Sequence, residues 1–259
     1  RLADAGKAVV LSTLPLIESE SDLKVIRKIV AWSTEHAPSP STGEGWGGGG
    51  LVEANDFGAV RLLAEAGKPF VAGPTLNVYN PDTLALLAEA GAVRWVPPVE
   101  MPQDMLAAMT VPAGVETELF AYGRLPLAYS ARCFTARRHN LQKDDCQFRC
   151  LDYPDGLALD TREGQGFLTM NGIQTQSGAV MSLAHRLDEV RAAGVTHLRL
   201  SPQSRHMERV VALFRALLDG EIRPSEAPGR LDKLMPGPPC DGYWRGEAGM
   251  AYQASAVSC

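Results

Sequence analysis

The chain has 259 residues, 45% of them apolar, enough to bury one sizeable core, and α/β barrels of about 250 residues commonly fold as a single domain. A formal net charge of −5 excludes the global basic field that holds a nucleic-acid backbone or an anionic membrane, leaving only local patches. No apolar run approaches the roughly 18–20 residues that span a bilayer, and no basic-then-apolar leader pattern is read at the start, so a cytoplasmic protein with no membrane span is expected.

A phrase recurs along the chain: LADAGKAVVL from Leu2, LAEAGKPFVA from Leu63, LAEAGAVRWV from Leu87 and RAAGVTHLRL from Arg191. In each, the end of an amphipathic helix meets Gly6, Gly67, Gly91 or Gly194 where a left-handed C-cap is wanted, and an apolar strand follows. Gly67 and Gly91 lie 24 residues apart, the length of one strand, loop and helix. Serial βα units of this kind predict a mainly parallel sheet covered by helices.

In chain order the expected elements are strand 8–13, helix 21–32, strand 51–54, helix 56–66, strand 69–74 and helix 81–90, the last opened by an Asn80 N-cap and Pro81 at the first helical position. Strand 92–96, a short helix over 103–109 and strand 118–122 follow. After a cysteine-rich interruption come strand 166–170, helix 179–193, strand 196–200 and helix 206–218. In the helix over 179–193, Met181, Leu183, Leu187 and Val190 form a core-facing stripe. About seven strands fall short of the eight that close a barrel. Since RLADAG reads as the last turn of a helix, the expected fold is a TIM-like (β/α) barrel lacking its N-terminal βα segment or segments. One domain over 1–259 is expected, with a flexible insertion at 36–50, a cysteine-rich segment at 130–156 and a C-terminal extension at 221–259. The glycine run before Leu51 leads into a strand and lacks a following Lys-Ser/Thr, which excludes a phosphate-binding loop.

Five cysteines, an odd number, argue against a closed disulfide framework. Three of them, Cys133, Cys146 and Cys150, share a polar stretch with twelve and three residues between them, and Arg132, Arg137, Arg138, Lys143 and Arg149 stand nearby. Cations favour the thiolate, the form that ligates metal. Cys133, Cys146 and Cys150 are therefore candidate metal ligands. The rival reading makes them small packing residues. The fourth ligand is open: Cys240 in PPCDGYW, His139 (which favours zinc) or a cysteine upstream of Arg1. Spacing alone does not separate zinc from an iron–sulfur cluster.

The runs VETELFAYGRLPLAYSARCFTARR from Val115, KDDCQFRC from Lys143, NGIQTQSG from Asn171, RLSPQ from Arg199 and CDGYWRGEAG from Cys240 resemble the UbiV family, accessory proteins of oxygen-independent ubiquinone biosynthesis within the collagenase-like peptidase superfamily. VLSTLPL near the start and RWVPPVE from Arg94 extend the similarity over nearly the whole chain. The resemblance implies a 4Fe-4S cluster held by four cysteines, three of them matching Cys133, Cys146 and Cys150, with the fourth upstream. It implies a heterodimer with a UbiU-like partner, acting in hydroxylation of the prenylated aromatic ubiquinone precursor without molecular oxygen. Cys240 matches a separate family cysteine that is not the usual ligand, and the 36–50 insertion departs from the family pattern.

Polar residues at expected strand ends form a weaker set. Glu53, Asn77, Glu100, Asn171 and Gln174 are candidates for a substrate pocket, with Ser201, Glu118 and Tyr122 in the same zone. Two rivals stand beside the iron–sulfur reading: a zinc-stabilised structural protein, and a collagenase-like peptidase or hydrolase on the same fold. No HExxH or GxSxG motif occurs to favour the hydrolase. Trp244 and Tyr243 are read as an aromatic clamp.

Overall fold

A computed structural model describes residues 2, 5–35, 50–142 and 145–254. The fold is mixed α/β and divides into two compact units, one of residues 1–98 and 109–118, the other of 99–108 and 119–259. The expected insertion at 36–50 lies, up to residue 49, outside the described residues.

The first unit alternates strands and helices: β1 (Val9–Ser12), α1 (Glu20–Glu35), β2 (Gly50–Ala54), α2 (Phe57–Glu65), β3 (Phe70–Ala72), α3 (Pro81–Glu89) and β4 (Ala92–Trp95). The strands pair in parallel in that order, and β4 continues onto the first residues of β5 (Glu116–Tyr129) through Arg94↔Glu116 and Trp95↔Thr117. β2 and β3 are buried along their whole length and are apolar except at Glu53, as parallel strands covered on both faces are. The helix boundaries follow local chemistry. Asp56 caps α2 by accepting from Gly58 N, and Asn80 caps α3 by accepting from Thr83 N, with Pro81 at the first position. Gly6, Gly67, Gly91 and Gly194 all have positive φ, between 62° and 109°, as their C-terminal positions require.

The second unit departs from the expected βα rhythm. After α4 (Gln103–Ala108), the rest of β5 pairs antiparallel with β8 (Gln174–Ser182), which pairs antiparallel with β7 (Gly166–Asn171), and β7 with β6 (Leu157–Asp160). Short α5 (Phe134–Arg138) lies between β5 and β6. β9 (His197–Leu200) pairs with β5, and β10 (Pro239–Cys240) pairs in parallel with β8. The helices are α6 (Leu187–Ala192), α7 (Met207–Leu218) and α8 (Ala227–Leu231).

Two expectations are thereby corrected. The strand expected at 118–122 runs fourteen residues, because its outer half is paired by β8. The helix expected over 179–193 is a strand to Ser182, a 3₁₀ turn over Ala184–Arg186 and α-helical only from Leu187. Met181, Leu183, Leu187 and Val190 are still buried, though not as one helical stripe. Among the described residues, no helix is long and apolar enough to cross a membrane.

The C-terminal stretch is built into the core of the second unit. Asp241, wholly buried, accepts from Arg186 Nε at 3.1 Å, Arg245 Nε at 3.2 Å and Gln253 N at 3.1 Å, with His185 Nε2 at 3.3 Å. Trp244, 1% exposed, donates its indole N–H to Glu189 Oε2 at 3.0 Å. The expected aromatic clamp is thus a buried, hydrogen-bonded anchor at Trp244.

Candidate functional site

Three places gather chemistry-bearing residues, and each is confined to one unit. In the first unit, the C-terminal ends of β1 and β2 hold a polar knot. Asn55 donates from Nδ2 to Glu53 Oε1 at 3.0 Å, Ser12 Oγ at 2.9 Å and Thr13 O at 3.2 Å, while Ser12 Oγ donates to Glu53 Oε1 at 3.3 Å. Thr75 Oγ donates to Asn55 O at 2.6 Å. Glu53 is therefore a buried, hydrogen-bonded carboxylate at the strand edge where parallel sheets place ligand groups. Asn77 follows β3 as a left-handed residue, φ 55°, ending a 3₁₀ turn. Arg94 bridges Glu116 and Glu118 at 2.8 and 3.2 Å, which gives Glu118 a role in pairing.

In the second unit a small open cleft is lined by Arg124, Asp155, Asn171, Gln176, Ser201 and Gln203 among others. Its floor depends on Gly123, whose φ of 124° only glycine takes without strain, and whose absent Cβ would lie 2.5 Å from Ser201 Cβ. Arg124 reaches in from β5: Nη1 donates to Ser177 O at 2.9 Å and to Gly178 O, and Nη2 to Pro236 O at 3.2 Å. Its Nε is buried without a hydrogen-bond partner among the described residues. Burial depresses the pKa of this guanidinium, with Asp155 and Cys240 opposing the shift. Asp155 in turn accepts from Ser204 N at 2.7 Å and from Ser204 Oγ. Tyr122 donates to Gln203 Oε1 at 2.7 Å, and burial pushes its hydroxyl pKa up to about 12, so it is a neutral donor. The cleft offers a fixed cation and several amide and hydroxyl groups to a small polar molecule.

Of the expected pocket residues, Asn171 and Ser201 line this cleft. Gln174 faces Asn171 across the β7–β8 turn and accepts from Gln176 Nε2 at 2.7 Å, so both belong to an antiparallel hairpin, where strand-to-helix junctions were expected. Glu100 lies in the second unit near Tyr243, and after burial itself it is the main cause of that phenol's raised pKa. Arg124, Asp155, Gln176 and Gln203 were not anticipated. The available signal was an arginine after a glycine inside an otherwise buried strand.

The cysteine segment also lies in the second unit. Cys133 precedes α5, and its thiol makes no capping hydrogen bond. Phe134 N donates to Gly172 O at 2.7 Å, fastening this segment to the β7–β8 turn. Cys146 precedes a turn in which Gln147 and Phe148 both take left-handed conformations, φ 51° and 49°. Cys150 sits in the 3₁₀ turn Arg149–Asp152 that follows. Cys133 and Cys146 are half-buried and Cys150 is exposed. His139 Nε2 is engaged with Tyr153 Oη at 3.3 Å. Cys240 is fully buried, and burial, with Asp241 beside it, pushes its thiol up to about 12. A thiol so protonated is a poor ligand. Three thiols on one polar segment have the softness that an iron–sulfur or zinc group requires. Among the described residues, however, no group of three or more His, Cys, Asp or Glu side chains is gathered so as to hold a metal ion.

No solved structure matches the chain. The profile of peptidase family U32 matches residues 3–247, spanning both units and all three places just described. On that match the chain belongs to peptidase family U32.

Proposed function

We propose that this chain is an iron–sulfur protein of the cytoplasm, carrying a 4Fe-4S cluster on Cys133, Cys146, Cys150 and a fourth ligand from another segment. In this reading it works with a UbiU-like partner in oxygen-independent hydroxylation of the prenylated ubiquinone precursor. The observation that carries it is the donor set: three thiols within eighteen residues, all at least partly accessible, in a stretch that resembles the UbiV family. Membership in family U32 supports the wider lineage, and the serial parallel βα units of residues 9–95 support the β/α-barrel-type fold that goes with it. When bound, a cluster of this kind supplies a one-electron carrier.

Purification without oxygen tests the proposal. The expected preparation is brown and contains iron and acid-labile sulfide in equal amounts, and Cys133→Ala, Cys146→Ala and Cys150→Ala each lower both. Colourless protein holding zinc and no iron would overturn it in favour of the zinc-stabilised alternative.

The family's name favours a second reading, a peptidase. Release of peptides from casein or gelatin, abolished by Cys150→Ser in protein free of iron, would favour that reading.

A further inference from the structure

Large apolar side chains left in water concentrate at one point of the second unit. Leu151 is 79% exposed and Phe148 71%, above every other exposed large hydrophobic among the described residues, and they stand three positions apart. The backbone is strained to hold them there. Gln147 and Phe148 are consecutive non-glycine residues in the left-handed region, a conformation that persists only when the surroundings impose it.

The surroundings are cationic. Arg149 lies between the two apolar residues, and α5, which packs beside the 3₁₀ turn Arg149–Asp152, carries Arg137 and Arg138, both exposed. Arg149 shares its charge with Asp152 at 3.6 Å, whereas Arg137 and Arg138 have no carboxylate partner among the described residues. Against these arginines and Arg132 stand Asp145 and Asp152, so positive charge is still in local excess among the described residues of 132–152, in a chain whose net charge is −5.

We propose that Phe148 and Leu151 form an insertion tip that docks this protein on an anionic lipid surface, with Arg137, Arg138 and Arg149 meeting the headgroups. Two apolar side chains and a few cations are far too little surface for a stable protein interface, which takes roughly 800 Å² from each partner. They are the scale of an interfacial anchor, in which shallow apolar insertion and electrostatic attraction act together and neither suffices alone. The proposal needs no cluster, but Gln147, Phe148 and Arg149 lie between the proposed ligands Cys146 and Cys150, so flotation is read on metal-free and metal-loaded protein alike.

Vesicle flotation tests it, using phosphatidylcholine vesicles with and without phosphatidylglycerol and protein whose metal content is measured in the same preparation. The full chain is expected to float with the anionic vesicles at low salt and to be released by high salt, and not to float with neutral ones. Phe148→Ser and Leu151→Ser together should weaken partitioning about tenfold or more, and Arg137→Glu or Arg138→Glu at least about fivefold each. All four positions are exposed, and unchanged thermal unfolding separates lost docking from lost folding. Phe148→Trp gives an independent readout: its fluorescence should shift to the blue on anionic vesicles and be quenched by brominated lipid. Absence of flotation with anionic vesicles overturns the proposal. So does flotation indifferent to the tip substitutions, or a blue shift of Phe148→Trp caused by a second copy or by single-stranded RNA and not by lipid.

Discussion

Arg186 Nε stands 3.1 Å from Asp241 Oδ2, and the carboxylate it faces is wholly out of water. Arg186 precedes α6, which packs in the core of the second unit, and Asp241 belongs to the chain's last described stretch, so this contact ties the two together. Arg245, Gln253 N and His185 complete the shell around the same carboxylate. A charge buried to this depth is tolerable only when its partners are in place.

Asp241→Asn should therefore destabilise the protein by about 3 kcal/mol or more, because it leaves two guanidinium groups facing a neutral amide. Urea unfolding followed by circular dichroism checks this. A change of less than about 1 kcal/mol would mean that Arg186 and Arg245 find other partners.

Acid should act through the same residue. Burial alone would raise the Asp241 pKa, but hydrogen bonds from His185, Gln253 N, Arg186 and Arg245 outweigh it and bring the pKa from 3.8 to about 2. The folded state thus holds this proton less tightly than the unfolded one. The contribution, about 2 kcal/mol, is present above pH 4 and is lost as pH falls through about 2. Urea midpoints measured from neutral pH down to that range should fall for the natural chain, and fall less steeply for Asp241→Asn.

Thiol reactivity should split the cysteines. Cys240, buried and held near pKa 12, should resist alkylation in the folded protein until denaturant is added, while Cys150 should react at once in metal-free protein. Mass spectrometry of alkylated peptides reads both. Rapid labelling of Cys240 under native conditions would show that the C-terminal stretch opens freely.

Gly123→Ala should cost about 2 kcal/mol or more, since the new methyl lies 2.5 Å from Ser201 Cβ and φ is 124°. Adding Ser201→Gly should restore only part of the loss in thermal unfolding, because it relieves the collision and leaves the dihedral strain.

Asn55→Ala should cost about 2 kcal/mol, since the buried Glu53 carboxylate loses a donor and Ser12 a partner. Urea unfolding checks it, and Asn55→Asp should be worse still, because it sets a second carboxylate beside Glu53.

The first unit was legible because its signals are local. Asn80-Pro81 opens α3 and Gly91 closes it, and both can be read from neighbours along the chain. The end of β8 escapes a sequence reading because the run from Ala179 holds Ala, Met and Leu, good helix formers, while its strand state comes from pairing with β5 on one side and β10 on the other. Those partners are remote in sequence and leave no periodic trace. The cleft was hidden for the same reason. Arg124 reaches Pro236 across 112 positions, and Asp155 reaches Ser204 across 49. The three cysteines were conspicuous because they crowd one segment, but crowding along a chain does not dictate how side chains converge.

The parallel pairing of β10 with β8 has a consequence for the order of events during synthesis. Met181 meets Cys240 only after a further fifty-nine residues have been added, and the shell around Asp241 needs Gln253 as well. A ribosome adding about 5–20 residues per second leaves β8 waiting several seconds for that neighbour. During this interval Arg186 and His185 have no counter-charge from Asp241, so the nascent second unit is at its most vulnerable to proteases and to mispairing until that stretch has been made.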